Sequence, residues 1–330
     1  MSGLEQVSSF SRREFLARSA KAGAAAAVVC AGAYWLYDSV GPKGPGQAES
    51  VEVPDFSAPD HRGRLSIVTG PDRAKTARRA LEAVGGMAAF VKKGDRVLLK
   101  VNAAFATPPA LSATANPQLV AEVVSLCRSA GAGMVLVSDN PINDPASCFG
   151  LSGIEQAARR AGATVVLPSE DQFKPVTVKS AKLLRDWPVL HGPLAGVNKL
   201  IGIAPVKHHQ HAGASMSMKN WYGLLGGRRN ILHQDINTTI AELAMMIRPT
   251  LVILDGTATM MRNGPTGGSL DDLAATNTMI VATDQVAADA FGATLLGKTP
   301  ADLPYLAMAA AAGCGTADYQ SLNPIRAEAS

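Results

Sequence analysis

The chain has 330 residues, 47% of them apolar, 18% charged and 5% aromatic, with a formal net charge of +4. A chain of this size and apolarity buries a sizeable core, which excludes a disordered protein and a disulfide-stapled miniprotein. No apolar run reaches the roughly 18 residues that a bilayer-crossing helix needs, which argues against a helical membrane bundle, and the few aromatics leave little for base-stacking platforms.

In chain order, the first segment reads as an address rather than a domain. Ser11-Arg12-Arg13-Glu14-Phe15-Leu16 is followed by Arg18 and Lys21, then by an Ala-rich apolar stretch from Ala22 to Leu36 interrupted only by Gly. A charged start, a short apolar centre and small residues at Ala31 and Ala33 are the parts of an export signal. The paired arginines resemble the twin-arginine signal, which delivers folded proteins to the twin-arginine export machinery. The expectation is a periplasmic protein whose signal, residues 1–33, is cleaved after Ala33 or kept as a membrane anchor with Tyr34, Trp35 and Tyr37 at the interface. Arg12, Arg13, Arg18 and Lys21 outweigh Glu5 and Glu14 here, so half of the net charge of +4 belongs to this segment. The remainder is too nearly neutral to argue for nucleic acid. Gly41-Pro42-Lys43-Gly44-Pro45-Gly46 and the polar residues up to Asp60 read as a linker over 34–60, ahead of an α/β domain over 61–330.

Within that domain short apolar runs alternate with helical periodicity. Strands are predicted at Leu65–Thr69, Arg96–Val101, Met134–Val137, Thr164–Leu167, Leu200–Val206, Leu251–Leu254 and Met279–Ala282. Helices are predicted at Ala74–Ala83, from Pro117 to Cys127 with Asn116 as N-cap, and at Ile154–Ala161, Met216–Leu225, Ile236–Ile247, Gln285–Leu296 and Tyr305–Ala312. This alternation means crossover units, a mostly parallel sheet and helices on both faces, with a small β insertion near 175–195.

Cys30, Cys127, Cys148 and Cys314 show no close spacing, so the chain does not advertise an iron–sulfur cluster. With Cys30 in the signal, at most one disulfide forms.

Ligands of an open parallel sheet sit beyond the carboxyl ends of its strands. Polar residues follow nearly every predicted strand: Lys100 and Asn102, Asp139 and Asn140, Lys207 and His208, Asp255, and Asp284. The densest segment runs from Lys207-His208-His209-Gln210-His211 through Ser215, Lys219 and Asn220 to Gly226-Gly227-Arg228-Arg229 and His233. Two chemistries suit it. His208 and His211 could join His233 or a carboxylate on a divalent metal. Alternatively Lys207, Lys219, Arg228 and Arg229 form an anion pocket in which a histidine is the acid or base. A solvated basic loop is the third reading. Arg262-Asn263-Gly264-Pro265-Thr266-Gly267-Gly268 is a tight loop without the lysine and spacing of a nucleotide-binding P-loop. Asp289 is an acid within an Ala-rich helix, in need of a partner if it is buried.

Several of these stretches together resemble one family: Val97 to Asn102, Lys207-His208, Met218-Lys219-Asn220-Trp221-Tyr222-Gly223, His233, Ile253-Leu254-Asp255-Gly256, Asn263-Gly264-Pro265 and Asp284 to Asp289. The chain is similar over roughly residues 64–316 to the family called domain of unknown function 362, to which no general reaction is assigned. Many relatives carry a ferredoxin-like cluster segment, which implies redox work for them; this chain lacks those cysteines. Two functions are expected from the whole. One is an enzyme acting on a small anionic substrate, with or without a metal. Its catalytic candidates are His208, His211, His233, Asp255 and Asp289, and its binding candidates are Lys100, Asn102, Lys207, Lys219, Asn220, Arg228, Arg229 and Asn263. The other is a non-catalytic accessory protein, a redox partner or assembly factor for another exported complex.

Overall fold

A computed structural model describes residues 11–36 and 50–329, in two units. The linker glycines at 41–46 and Tyr37 lie outside the described residues, as do the side chains of Cys30, Tyr34 and Trp35. In the first unit a single helix runs over Arg12–Leu36. A reciprocal cap starts it: the Ser11 N–H donates to Glu14 Oε2 at 3.0 Å and the Glu14 N–H to Ser11 Oγ at 3.3 Å. Among the described residues no helix is long and apolar enough to cross a membrane.

The second unit is described from residue 50, ahead of residue 61. Residues 51–56 lie on the domain: the Val51 N–H donates to Pro175 O, the Phe56 N–H donates to Arg248 O, and the Phe56 ring is buried.

The strands are β1 (Leu65–Thr69), β2 (Arg96–Lys100), β3 (Met134–Ser138), β4 (Thr164–Val166), β5 (Phe173–Val176), β6 (Trp187–Leu190), β7 (Lys199–His209), β8 (Gly213–Ser215), β9 (Leu251–Met260), β10 (Leu273–Ala274), β11 (Thr278–Ala282) and β12 (Ile325–Glu328). The main sheet runs β12-β1-β11-β9-β7-β2-β3-β4, with β8 paired to β7 and β10 to β9. From β9 to β4 every pairing is parallel; β11 alone on the main path runs against its neighbours. β5 and β6 form a separate antiparallel hairpin where the small insertion is expected.

Strand alternation divides the core in two. Val97, Leu99, Val135, Val137, Ile201 and Ile253 face the helices Arg73–Ala83, Pro117–Ser129 and Ile154–Arg160. Leu98, Leu136, Leu200, Val252, Leu254 and Ile280 face Ile236–Met246, Gln285–Leu295 and Pro304–Ala311. Both faces of the sheet are therefore covered, which explains strands that read as continuous apolar runs.

Three of the predicted elements differ from expectation, and the helices Met87–Phe90 and Pro145–Leu151 and the strand β12 are additional to it. β7 continues to His209 because the short β8 folds back on it, pairing Lys207 with Ser215 and His209 with Gly213. β9 likewise extends to Met260 with β10 beside it. The helix expected over Met216–Leu225 is one turn, Ser217–Asn220, followed by a 3-10 turn over Trp221–Leu224. Tertiary demands on the 219–223 side chains override propensity there.

Candidate active site

A cavity of about 100 Å³ opens at the carboxyl ends of β2, β3 and β7. One water needs only ~10–15 Å³ on this kind of measure, so a small molecule fits. Lys100, Asn102, Asp139, Lys207, His209, Lys219, Tyr222, Arg229 and His233 contribute its polar wall, while Phe105, Ile142 and Pro265 close the other side.

The segment Lys219-Asn220-Trp221-Tyr222-Gly223 builds much of the polar wall, one residue at a time. Asn220 is buried and locked by its amide, which donates to Lys100 O at 3.2 Å and Ile203 O at 3.3 Å. Its Oδ1 accepts from Lys100 Nζ at 2.9 Å and Asn102 Nδ2 at 3.3 Å. Trp221 seats its indole over Gly202, where a Cβ would come within 2.6 Å of Cη2, and donates from Nε1 to Gln285 Oε1 at 2.6 Å. Tyr222 donates its hydroxyl proton to Arg229 O. Gly223 leaves space for a buried ion pair, Lys100 Nζ to Asp139 Oδ1 at 2.7 Å. From behind, Asp289 accepts the Ser217 N–H, the Ser217 hydroxyl and the Met218 N–H, holding the start of the turn that carries Lys219.

Two imidazoles face each other, with ring centroids 5.9 Å apart and planes at 19°. His209 Nδ1 accepts the backbone N–H groups of His211 and Ala212, each at 3.2 Å, so the ring proton is on Nε2. His233 Nδ1 lies 2.9 Å from the Tyr222 oxygen. The Tyr222 proton is already given to a carbonyl, so this oxygen accepts and His233 carries its proton on Nδ1, leaving Nε2 as a lone pair. Burial, then the Lys219 charge, pushes His209 down to about 2 and His233 down to about 4, and both rings are neutral at pH 7.

The cations differ in what they have left to offer. Lys100 Nζ is saturated by Val101 O, Asn220 O, Asn220 Oδ1 and Asp139. The Arg229 guanidinium is spent on the carbonyls of Asn140, Tyr222, Leu225 and Pro141, stitching the loop after β3 to the 222–225 turn. Lys207 donates to Ala113 O and, at 3.5 Å, to Asn102 Oδ1, and it faces the Phe105 ring. Burial, with Lys219 next, pushes it down to about 7. Lys219 Nζ makes no hydrogen bond among the described residues and sits 5.0 Å from the Tyr222 ring centre. Burial and Arg229 push it down to about 8. Three lysines and an arginine thus face a single carboxylate, Asp139, in one small cavity.

The sequence profile described as Domain of unknown function (DUF362) matches residues 97–294. The chain belongs to the DUF362 family. It is 29% identical over 266 residues, 76% of each chain, to Thylakoid-associated protein sll1697 of Synechocystis sp.. Among solved structures it is similar to the lactate racemase apoprotein from Thermoanaerobacterium thermosaccharolyticum, with 15% identity and a TM-score of 0.37. That alignment covers 72% of this chain, which spans 60% of the other. A protein from Thermotoga maritima gives 11% identity and a TM-score of 0.33, over 58% of this chain and 52% of that one.

In this DUF362 member the cavity gathers Lys100, Asn102, Lys207, Lys219, Asn220, Arg229 and His233 from the expected residues. It does not gather the others. His208 alternates away from Lys207 and His209 on β7, leaving His209 as the histidine of that strand in the cavity. His211 is exposed at the rim, its ring 6.3 Å from His209 and 6.4 Å from His233. Asp255 lies mid-strand in β9, bound to Arg73 Nε at 2.5 Å and to the Thr257 N–H at 2.9 Å. Asp289 is a positioning group buried behind the wall, and burial pushes it up to about 7. Arg228 is exposed and outside the cavity lining. Asn263 is exposed too and donates to Asp272 Oδ1 at 2.7 Å; its glycine-rich loop supplies only Pro265 to the cavity. Asp284 sits at the opposite sheet edge, because β11 is reversed, and caps the helix Gln285–Leu295. The metal set of His208, His211 and His233 does not assemble, and among the described residues no three His, Cys, Asp or Glu side chains are placed to hold a metal ion. Cys127, Cys148 and Cys314 are free thiols; burial pushes the first two up to about 12 and about 11. His209 and Tyr222 were the residues to find: i, i+2 alternation from Lys207 picks out His209 once the strand is known to reach it.

Proposed function

We propose that this DUF362 member is an enzyme performing acid–base chemistry on a small anionic substrate, with Lys207 and Lys219 holding the anion, His209 Nε2–H as hydrogen-bond donor and His233 Nε2 as base. The observation that carries this reading is the pair of stacked imidazoles in opposite tautomers beside an unbonded lysine. A pure binding site gains nothing from a lone pair and an N–H set face to face. Thermal unfolding with phosphate and small carboxylates tests it: these anions are expected to raise the midpoint of the wild type, and Lys219→Ala to weaken that response without unfolding the protein. An unchanged response in the variant overturns the site. Co-purification with a partner and no response to any anion would favour the accessory reading instead.

We also propose export by the twin-arginine route to the periplasm, supported by Arg12-Arg13 ahead of the apolar stretch, with the membrane met only through the N-terminal segment. Arg12→Lys together with Arg13→Lys is expected to leave the protein in the cytoplasm; continued export of that variant overturns the route.

A further inference from the structure

We propose that Lys219 is a nucleophile that condenses with the carbonyl carbon of a small 2-oxo acid to form an imine. This rests on the acid–base reading of the same cavity and names its substrate class. Four cationic side chains line the cavity, and three are committed elsewhere: Lys100 to four acceptors, Arg229 to four carbonyls and Lys207 to Ala113 O and Asn102 Oδ1. Lys219 alone among them donates to no described residue, and its Nζ rests against the Tyr222 ring at 5.0 Å. Desolvation and neighbouring positive charge favour the neutral amine, the state in which a lysine attacks carbonyl carbon. The Tyr222 ring joins the amine to its base, since the His233 ring packs edge-on against it with centroids 4.9 Å apart.

The chemistry balances without a co-reactant. Lys219 Nζ adds to the carbonyl carbon and the π pair moves to oxygen, where the His209 Nε2–H receives it. His233 Nε2 takes one proton from the nitrogen and passes it to that oxygen, giving the carbinolamine. The nitrogen pair then forms C=N and expels hydroxide, which takes the second nitrogen proton by way of His233 and leaves as water. The carboxylate of the 2-oxo acid answers the surplus of cations over the one carboxylate, Asp139, in the lining, and a cavity of about 100 Å³, several times the ~10–15 Å³ that one water needs, suits a molecule of pyruvate's size.

The test treats the full chain with pyruvate and sodium borohydride, maps the adduct by peptide mass, and measures thermal stabilisation by pyruvate and by propionate, which has the carboxylate and no carbonyl. The expected result is one reduced adduct on the Lys219 peptide, absent from Lys219→Ala and Lys219→Arg, with propionate still stabilising Lys219→Arg. Stabilisation by both acids with no adduct on Lys219 overturns the imine and leaves the anion site standing. Labelling spread over surface lysines also overturns the imine. Neither labelling nor stabilisation overturns both readings, and because these outcomes are read on the wild type they hold even if a variant fails to fold.

Discussion

His209 and His233 face each other with their planes 19° from parallel, and the groups behind them set their protons in opposite places. Two backbone N–H groups fix the His209 lone pair, and a tyrosine oxygen that has already given its proton away fixes the His233 N–H. Long-range nitrogen–proton NMR correlations at pH 7 are expected to show Nε2–H for His209 and Nδ1–H for His233. The same tautomer in both rings would remove the basis for pairing them as donor and base.

The two rings also shape stability in acid. Both are pushed below the usual histidine value of 6.5, to about 2 and about 4, so the unfolded chain binds more protons than the folded one below pH 6.5. Their contribution is complete above pH 6.5 and is lost as the pH falls. His209→Asn keeps an oxygen for the two N–H groups and removes the titration. Denaturant unfolding from pH 6.5 to pH 4 is expected to show a shallower loss in this variant, by roughly 1.4 kcal/mol per pH unit.

Lys207 works in the opposite pH range. Burial lowers it from 10.5 to about 7, so its buried charge costs stability below pH 7 and that cost is relieved as the pH rises toward 10.5. Lys207→Met, measured without anions, is expected to be more favourable relative to wild type at pH 6 than at pH 9, by about 3 kcal/mol. Equal effects at the two pH values would mean that the amine does not titrate between them.

Gly223 is fixed by what surrounds it. A Cβ there would come within 2.7 Å of Lys100 Nζ and press on Asp139, separating a buried ion pair. Gly223→Ala is expected to cost about 3 kcal/mol in urea unfolding and to weaken stabilisation by anions. Gly150→Ala, in a helix with nothing within 4 Å of the added methyl, is expected to be neutral or slightly stabilising.

Much of the fold was legible because its evidence is local. Apolar runs alternate with helical periods, and Asn116-Pro117 starts its helix as the cap rule requires, with the Asn116 side chain accepting the Gln118 N–H. The carboxyl-edge rule then led to Lys100, Asn102 and Lys207, and the density of basic residues and histidines from 207 to 233 led to Lys219 and His233. Three kinds of information were not local. The reversal of β11, which takes Asp284 to the far edge, is decided by pairing between distant strands. Asp255 finds Arg73, 182 positions away, and no pattern around either announces it. The choice between His208 and His209 turned on where β7 stops. The roles of Lys100, Asn220 and Arg229 were hidden for a different reason, since a cation or amide that binds a ligand and one that ties down carbonyls look alike until their acceptors are counted.

Gly202 and Trp221 give the cavity two sides of unequal tolerance. With the indole wedged onto the middle of β7, the 219–223 turn is set by the sheet, so Asn220 and Tyr222, which hydrogen bonds tie in place, cannot be exchanged without disturbing the core, whereas the Lys219 side chain, hydrogen-bonded to none of the described residues, can. On the facing side Phe105 is buried with Ala113 and Met260, while Ile142 is exposed and Pro265 half-buried on their loops. The shape of the cavity can therefore be altered by substitutions at 142 and 265, while Phe105 and the charge-bearing side are left as they stand.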